Sequence, residues 1–258
     1  MRPDALRARW RAGEPAFGVW CGIPSPYAAE LVAIAGYDWV CVDLQHGMTG
    51  LGGLAPVLQS ISVTGAAPLV RVAANEAWLI GRALDLGAAG VIVPLVDTAQ
   101  EAAEAVAACR YPPLGRRSYG QVRTAGVSDE ALCVVMCETR AGVEHLDEIC
   151  SVDGLDGVYV GPRDLALSHG LEPDALEPVI TRILETCRRH GVPAGIQAGT
   201  GAAARGYVQA GFCFAATASD RDLLARAAAA ELAAALGAGE APLARPPDEV
   251  LRASARYV

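Results

Sequence analysis

Residues 36–47 read GYDWVCVDLQHG. An apolar run, Asp38–Leu44, ends in polar chemistry: Asp43, Gln45 and His46. Seven other runs rich in Val and Ile repeat the pattern: Phe17–Ile23, Pro68–Ala73, Gly90–Val96, Leu132–Glu138, Gly157–Asp164, Pro193–Gly199 and Phe212–Ser219. Ala-rich helical segments separate them. Nearly continuous apolar strands between helices mean a parallel sheet covered on both faces. Eight of them predict an α/β fold, a closed (β/α)8 TIM barrel. The alternative, an open doubly wound sheet, lacks its GxGxxG after the first strand.

Helix starts are legible. Ser25-Pro26 reads as an N-cap followed by Pro at the first helical position. Thr98 and Glu101 have capping-box spacing, and Ser219-Asp220 opens the last barrel helix. The sequence predicts one domain over 1–258, with the barrel over about 17–236 and an N-terminal helix before it. Residues 237–258 read as a Gly/Pro/Ala-rich linker and a short terminal helix, a tail suited to docking on a neighbouring subunit.

Composition removes whole classes of chemistry. The chain has 258 residues, 52% apolar and 19% charged, which suits a globular body rather than disorder. All 21 basic residues are Arg, so there is no Lys. Schiff-base aldolases, pyridoxal phosphate enzymes and a Walker A loop are thereby excluded. Carbonyl chemistry here must use a metal or hydrogen bonds as its electron sink. A net charge of -8 argues against nucleic acid. No apolar run of 18 residues suggests a membrane span, and the Arg-rich start lacks the apolar core of a signal peptide. Eight scattered Cys without a CxxC read as buried reduced thiols of a cytoplasmic protein.

A barrel places its active site at the C-terminal ends of the strands. The polar residues there are Asp43, Gln45 and His46 after the second run, Arg71 after the third, Glu138 after the fifth, and Arg163 and Asp164 after the sixth. Glu138 and Asp164 form an oxygen-rich pair suited to Mg²⁺, Mn²⁺ or Co²⁺ rather than Zn²⁺; the plainer reading makes each a helix cap or an Arg partner. His46 stands where a base belongs. His145 and His190 read as surface helix residues and His169 as a loop residue. Arg71 suits a carboxylate or a developing enolate oxygen, unless it merely pairs with Asp43 or Glu76. Gly199-Thr200-Gly201 could hold a phosphate at a helix N-terminus, although the signal is weak and a plain tight turn is the favoured reading.

GYDWVCVDLQHG (36–47), VRV (70–72), GAAGVIVPLVDTAQEA (87–102), RYPPLGRRSYG (110–120), Glu138 and LDGVYVGPRDLALSHG (155–170) together resemble the HpcH/HpaI aldolase family, from about Phe17 to Leu236. The resemblance implies a class II, metal-dependent aldolase that cleaves 4-hydroxy-2-oxo acids to pyruvate, or a related 2-oxo acid, and an aldehyde, or runs the reverse. Glu138 and Asp164 would hold the divalent ion, and Arg71 would stabilise the enolate oxygen. His46 would move the aldol proton, with Asp85 raising its basicity and Asp43 supporting the network. Trp20, Gln45, Met136, Gly161, Pro162, Arg163 and Asp164 would line the substrate with Arg71. A homohexamer, a trimer of dimers, is implied as well. The chain departs from the pattern at Gln45, at Met136 (Gln in well-known members), at Ala218 before Ser-Asp, and in a short connection from Arg123 to Leu132. That connection predicts an open mouth and broad acceptor tolerance. Two other readings are a relative repurposed for decarboxylation and carbon–carbon bond formation in secondary metabolism, and a non-catalytic barrel. Retention of His46, Arg71, Glu138 and Asp164 together argues against the last.

Overall fold

The computed structural model describes residues 2–120, 130–172 and 175–237. Eight parallel strands close into a barrel in sequence order: β1 (Ala16–Cys21), β2 (Trp39–Asp43), β3 (Ala67–Arg71), β4 (Gly90–Val93), β5 (Leu132–Cys137), β6 (Gly157–Val160), β7 (Ala194–Gln197) and β8 (Phe214–Ser219). All eight runs read from the sequence become strands, trimmed by a few residues at their ends. β4 stops before Pro94, which has no N–H for a ladder. The helices Pro26–Ala33, Leu51–Ser62, Ala77–Asp85 and Ala99–Cys109 follow the first four strands. Arg140–Glu144 with Leu146–Cys150, Pro162–His169 with Glu177–His190, and Gly201–Ala210 follow the next three. Residues up to Asp220 make one compact unit and those from Arg221 a second. The described part of the second is the rest of the helix Asp220–Ala235 and the residues to Gly237. Most of the predicted tail, and the connection from Arg123 as far as 129, lie outside the described residues.

The predicted caps form. The Ser25 hydroxyl accepts the Ala28 N–H at 3.2 Å, and Thr98 and Glu101 complete a capping box. Thr200 caps Gly201–Ala210, so the Gly199–Gly201 stretch is a capped turn. His169 corrects its predicted loop position. It ends the helix Pro162–His169, because Gly170 supplies the left-handed residue that closes it.

Large rings fill the barrel. Trp10, Trp20, Trp39, Tyr159 and Phe214 are all buried in one core cluster. The strands facing them carry glycine for want of room. A Cβ on Gly18 would lie 2.1 Å from the Trp39 ring, and one on Gly195 2.2 Å from Phe214.

The helix Pro3–Arg11 closes the N-terminal end of the barrel. Its Trp10 stacks on Phe214, the first residue of β8, with ring centroids 4.1 Å apart. Two ion pairs fasten the plug, and a third shares one of their carboxylates. Arg9 reaches Asp38 at 2.6 Å. Arg7 reaches Asp156 at 2.6 Å, and Arg110 meets the same carboxylate at 3.3 Å. The Cys133 N–H also donates to Asp156. One buried carboxylate thus sits between two guanidinium groups. Removing one partner of such a cluster strands charge in a dry place. Asp156→Ala is expected to cost about 3 kcal/mol of stability or more, measured by urea unfolding, whereas Arg2→Ala, on an exposed pair, should cost almost nothing.

Candidate active site

The polar strand ends converge at the C-terminal mouth. Arg71, the last residue of β3, points inward and forms a two-pronged pair with Asp43, the last of β2. Nε donates to Oδ1 at 2.8 Å and Nη2 to Oδ2 at 2.6 Å. The guanidinium lies over the Trp20 ring, 4.6 Å from its centroid. Nη1 faces the Met136 sulfur at 3.9 Å. The backbone N–H groups of Gln45 and His46 donate to Asp43 as well. Burial alone would raise the Asp43 pKa, but Arg71 and these amides outweigh it and hold the pKa below the ordinary value. Asp43 therefore positions Arg71 and the His46 loop and is not available as a base.

That loop is held from two sides. Gly47 is the only residue type that fits, since a Cβ there would lie 2.2 Å from the Asp43 carbonyl oxygen. Met48 donates to the Gly22 carbonyl, and the Asp220 carboxylate takes the Gly22 and Ile23 amides. Asp220 opens its helix as predicted, but its carboxylate turns to β1's loop instead. His46 is exposed, and its ring has no hydrogen-bond partner among the described residues.

Glu138 follows β5 and is 2% exposed. Its Oε1 accepts the Leu95 N–H at 2.9 Å. Leu95 adopts a left-handed φ of 53°, a conformation that costs a leucine about 1 kcal/mol or more and concentrates at functional sites. Gly161 lets the next strand approach: a Cβ there would meet Glu138 Oε2 at 2.8 Å and Met136 Cε at 3.0 Å. Asp164 belongs to the first turn of the helix Pro162–His169, not to the strand end predicted for it, because Gly161 and Pro162 start the helix. It is exposed, and its charge reaches Glu138. Burial, and secondarily Asp164, push the Glu138 pKa above its ordinary value.

No third His, Cys, Asp or Glu joins this pair as a metal group among the described residues. Two oxygen donors suit a hard octahedral cation that keeps its remaining positions for substrate and water. The raised Glu138 pKa is what an ion-ready buried carboxylate shows before a cation compensates it. The residues present therefore fit a divalent ion. Half-buried Pro162 and exposed Arg163 sit at the helix start, where the first N–H groups lack intrahelical partners.

Two expectations change. Asp85 does not meet His46 within one chain. It ends the helix Ala77–Asp85, which returns from the mouth to the other end of the barrel, and it pairs there with Arg117 at 2.7 Å. Met136 lies in the buried core beneath Arg71 and Gly161, so it forms the floor of the mouth. Sequence reasoning missed Tyr159, Gln197, Leu95 and the anchoring role of Asp220. The polar strand-end rule, applied to the seventh run, would have found Gln197.

A sequence profile of the HpcH/HpaI aldolase/citrate lyase family matches residues 16–227. A 4-hydroxy-2-oxo-heptane-1,7-dioate aldolase of Salmonella arizonae is 37% identical over 251 residues, covering 91% of this chain and 95% of that protein. Among solved structures, a protein of the same family from Burkholderia cenocepacia J2315 superposes with a TM-score of 0.85 at 34% identity, over 90% of this chain and 98% of that one. Macrophomate synthase superposes at 0.81 with 25% identity, over 91% and 89% of the two chains.

The sign of the Glu138 shift gives a test. A folded pKa above 4.5 means that the folded protein takes up this proton at higher pH than the unfolded chain. Without an ion, the contribution of Glu138 to stability is full below about 4.5 and falls as pH rises through the folded value. Glu138→Gln should therefore melt at a higher temperature than the ion-free wild type at pH 7. Added Mn²⁺ should raise the melting temperature of the wild type and not that of the variant, as followed by calorimetry.

Proposed function

This chain belongs to the HpcH/HpaI aldolase/citrate lyase family, and from that premise we propose that it cleaves a 4-hydroxy-2-oxo acid to pyruvate, or a related 2-oxo acid, and an aldehyde, or adds them in reverse. It is a carbon–carbon lyase of the metal-dependent aldolase class. The observation that carries the site assignment is the buried Glu138 carboxylate beside Asp164, with the Arg71 guanidinium reaching the same floor. Glu138 and Asp164 would hold Mg²⁺, Mn²⁺ or Co²⁺. The bound ion supplies Lewis acidity that makes the 2-oxo acid easier to enolise.

The chain's own groups supply the rest. Arg71, locked by Asp43, presents Nη1 toward developing negative charge on the substrate oxygen, where a fixed cation in a dry site is worth most. The free amides around Arg163 and Asp164 would take the substrate carboxylate. His46, exposed and unpartnered, is free to move the proton. Trp20 and Met136 floor the site, and Gln45 edges it. Within one chain Asp85 pairs with Arg117. A second reading, decarboxylation with carbon–carbon bond formation, is favoured by the likeness to macrophomate synthase.

The proposal includes a homohexamer built as a trimer of dimers. Tyr27, Leu31 and Ile34 lie on one face of the helix Pro26–Ala33 and its last turn and are exposed, which supports burial against another copy. A cytoplasmic location accords with buried free thiols. No described helix is long and apolar enough to cross a membrane.

Exchange of the pyruvate methyl protons in D2O, followed by NMR, reports enolate formation without needing the right aldehyde. EDTA should abolish it and Mn²⁺ or Co²⁺ restore it. Glu138→Ala and Asp164→Ala should each lose roughly 100-fold or more, the usual scale for losing one preorganised charge-stabilising contact. Borohydride should trap no adduct. Release of carbon dioxide from oxaloacetate, with no retro-aldol activity, would favour the second reading. Light scattering should give a mass well above that of one chain.

A further inference from the structure

Gln197 ends β7 beside the mouth and is half-buried. Its side chain faces the interior. Gly195, two residues earlier, lies against the Phe214 ring, and Gln197 itself pairs with Ala216 of the core.

A short hydrogen-bond chain fixes which end of its amide looks outward. Trp20 Nε1, which can only donate, gives its proton to the Tyr159 hydroxyl at 3.0 Å. Tyr159 is fully buried, so its own proton needs an acceptor. The partner at hand is the Gln197 amide, 3.1 Å away, and no other acceptor for this hydroxyl is found among the described residues. The Gln197 carbonyl oxygen must therefore face Tyr159. Its NH2 group is left over, with no acceptor among the described residues. Burial keeps the Tyr159 phenol protonated well beyond its ordinary range, so this polarity does not change near neutral pH.

The NH2 group also lies in the right place. Glu138 follows the last β5–β6 pair by one residue, Gly161 by one, and Gln197 stands one past the last β6–β7 pair. The three share one level on adjacent strands. Neighbouring strands are about 4.8 Å apart, so roughly 10 Å separates the Glu138 and Gln197 backbones. Gly161 between them adds no side chain of its own, and the Glu138 carboxylate and the end of Met136 lie over its backbone.

Resting on the pyruvate-aldolase reading, we propose that Gln197 determines acceptor specificity: its NH2 donates to an oxygen on the carbon next to the aldehyde carbonyl, and so selects α-hydroxy or α-oxo aldehydes over alkyl ones. A site built to donate here rejects an analogue that leaves its N–H unpaired.

Glycolaldehyde and propanal differ by a hydroxyl in place of a methyl, and each can be offered with pyruvate and Mn²⁺. The readout is the ratio of kcat/KM for the two acceptors, which does not depend on the fraction of folded enzyme. The wild type should favour glycolaldehyde. Gln197→Leu and Gln197→Glu should each lower the ratio about tenfold, the worth of one well-placed hydrogen bond. Tyr159→Phe, which frees the amide to turn, should lower it by less. An unchanged ratio in Gln197→Leu overturns the assignment. Methyl-proton exchange by the wild type is the separate control: its absence would sink the aldolase reading itself, whereas normal exchange with an unchanged ratio sinks only the role of Gln197.

Discussion

The mouth of this barrel rests on a column of five aromatic rings. Trp10 stacks on Phe214, and Phe214 touches Trp39 and Tyr159 at centroid distances of 6.2 and 5.8 Å. Tyr159 meets Trp20 at 5.6 Å. The column runs from the N-terminal plug to the floor of the site. Interiors filled this way do not yield by small amounts. Trp20 and Tyr159 therefore hold still under Arg71 and Gln197, and the small residues of β1, β6 and β7 follow from the space the rings occupy.

Above that floor, two carboxylates of similar burial are driven in opposite directions by their partners. Asp43 receives both prongs of Arg71 and two backbone amides, and its pKa falls. Glu138 receives one amide and faces another acid, and its pKa rises. One is spent on geometry and the other is left needing a cation. Environments that separate like groups in this way assign their roles.

Most of this was legible in the sequence. Every strand was found, because parallel strands buried on both faces read as apolar runs whatever their tertiary partners. Arg71, Glu138 and Asp43 were found because a barrel puts its strand ends together. What escaped had physical reasons. With a few large rings filling the interior, several inward positions are glycine, so β7 shows no inward–outward alternation and nothing in the run Pro193–Gly199 marked Gln197 as inward-facing. Asp85 was placed beside His46 by family likeness, but the helix carrying it runs down the barrel and Arg117, distant in sequence, claims it. Asp164 lay two residues beyond a helix start that Gly161-Pro162 could have announced.

The eight cysteines are all free, seven of them buried. Burial pushes Cys21 up to about 12 and raises Cys41 and Cys213 as well, while the hydrogen bond with Cys150, and then burial, raises Cys187, so these four thiols hold little thiolate. The sequence also holds no lysine. An enzyme that handles free aldehydes works among electrophiles that condense with amines and add to thiolates. This chain offers its own substrates no lysine amine, and seven of its eight thiols are buried. The same absence of lysine that leaves its carbonyl chemistry to a metal or hydrogen bonds also removes one target of slow covalent damage by the compounds it turns over.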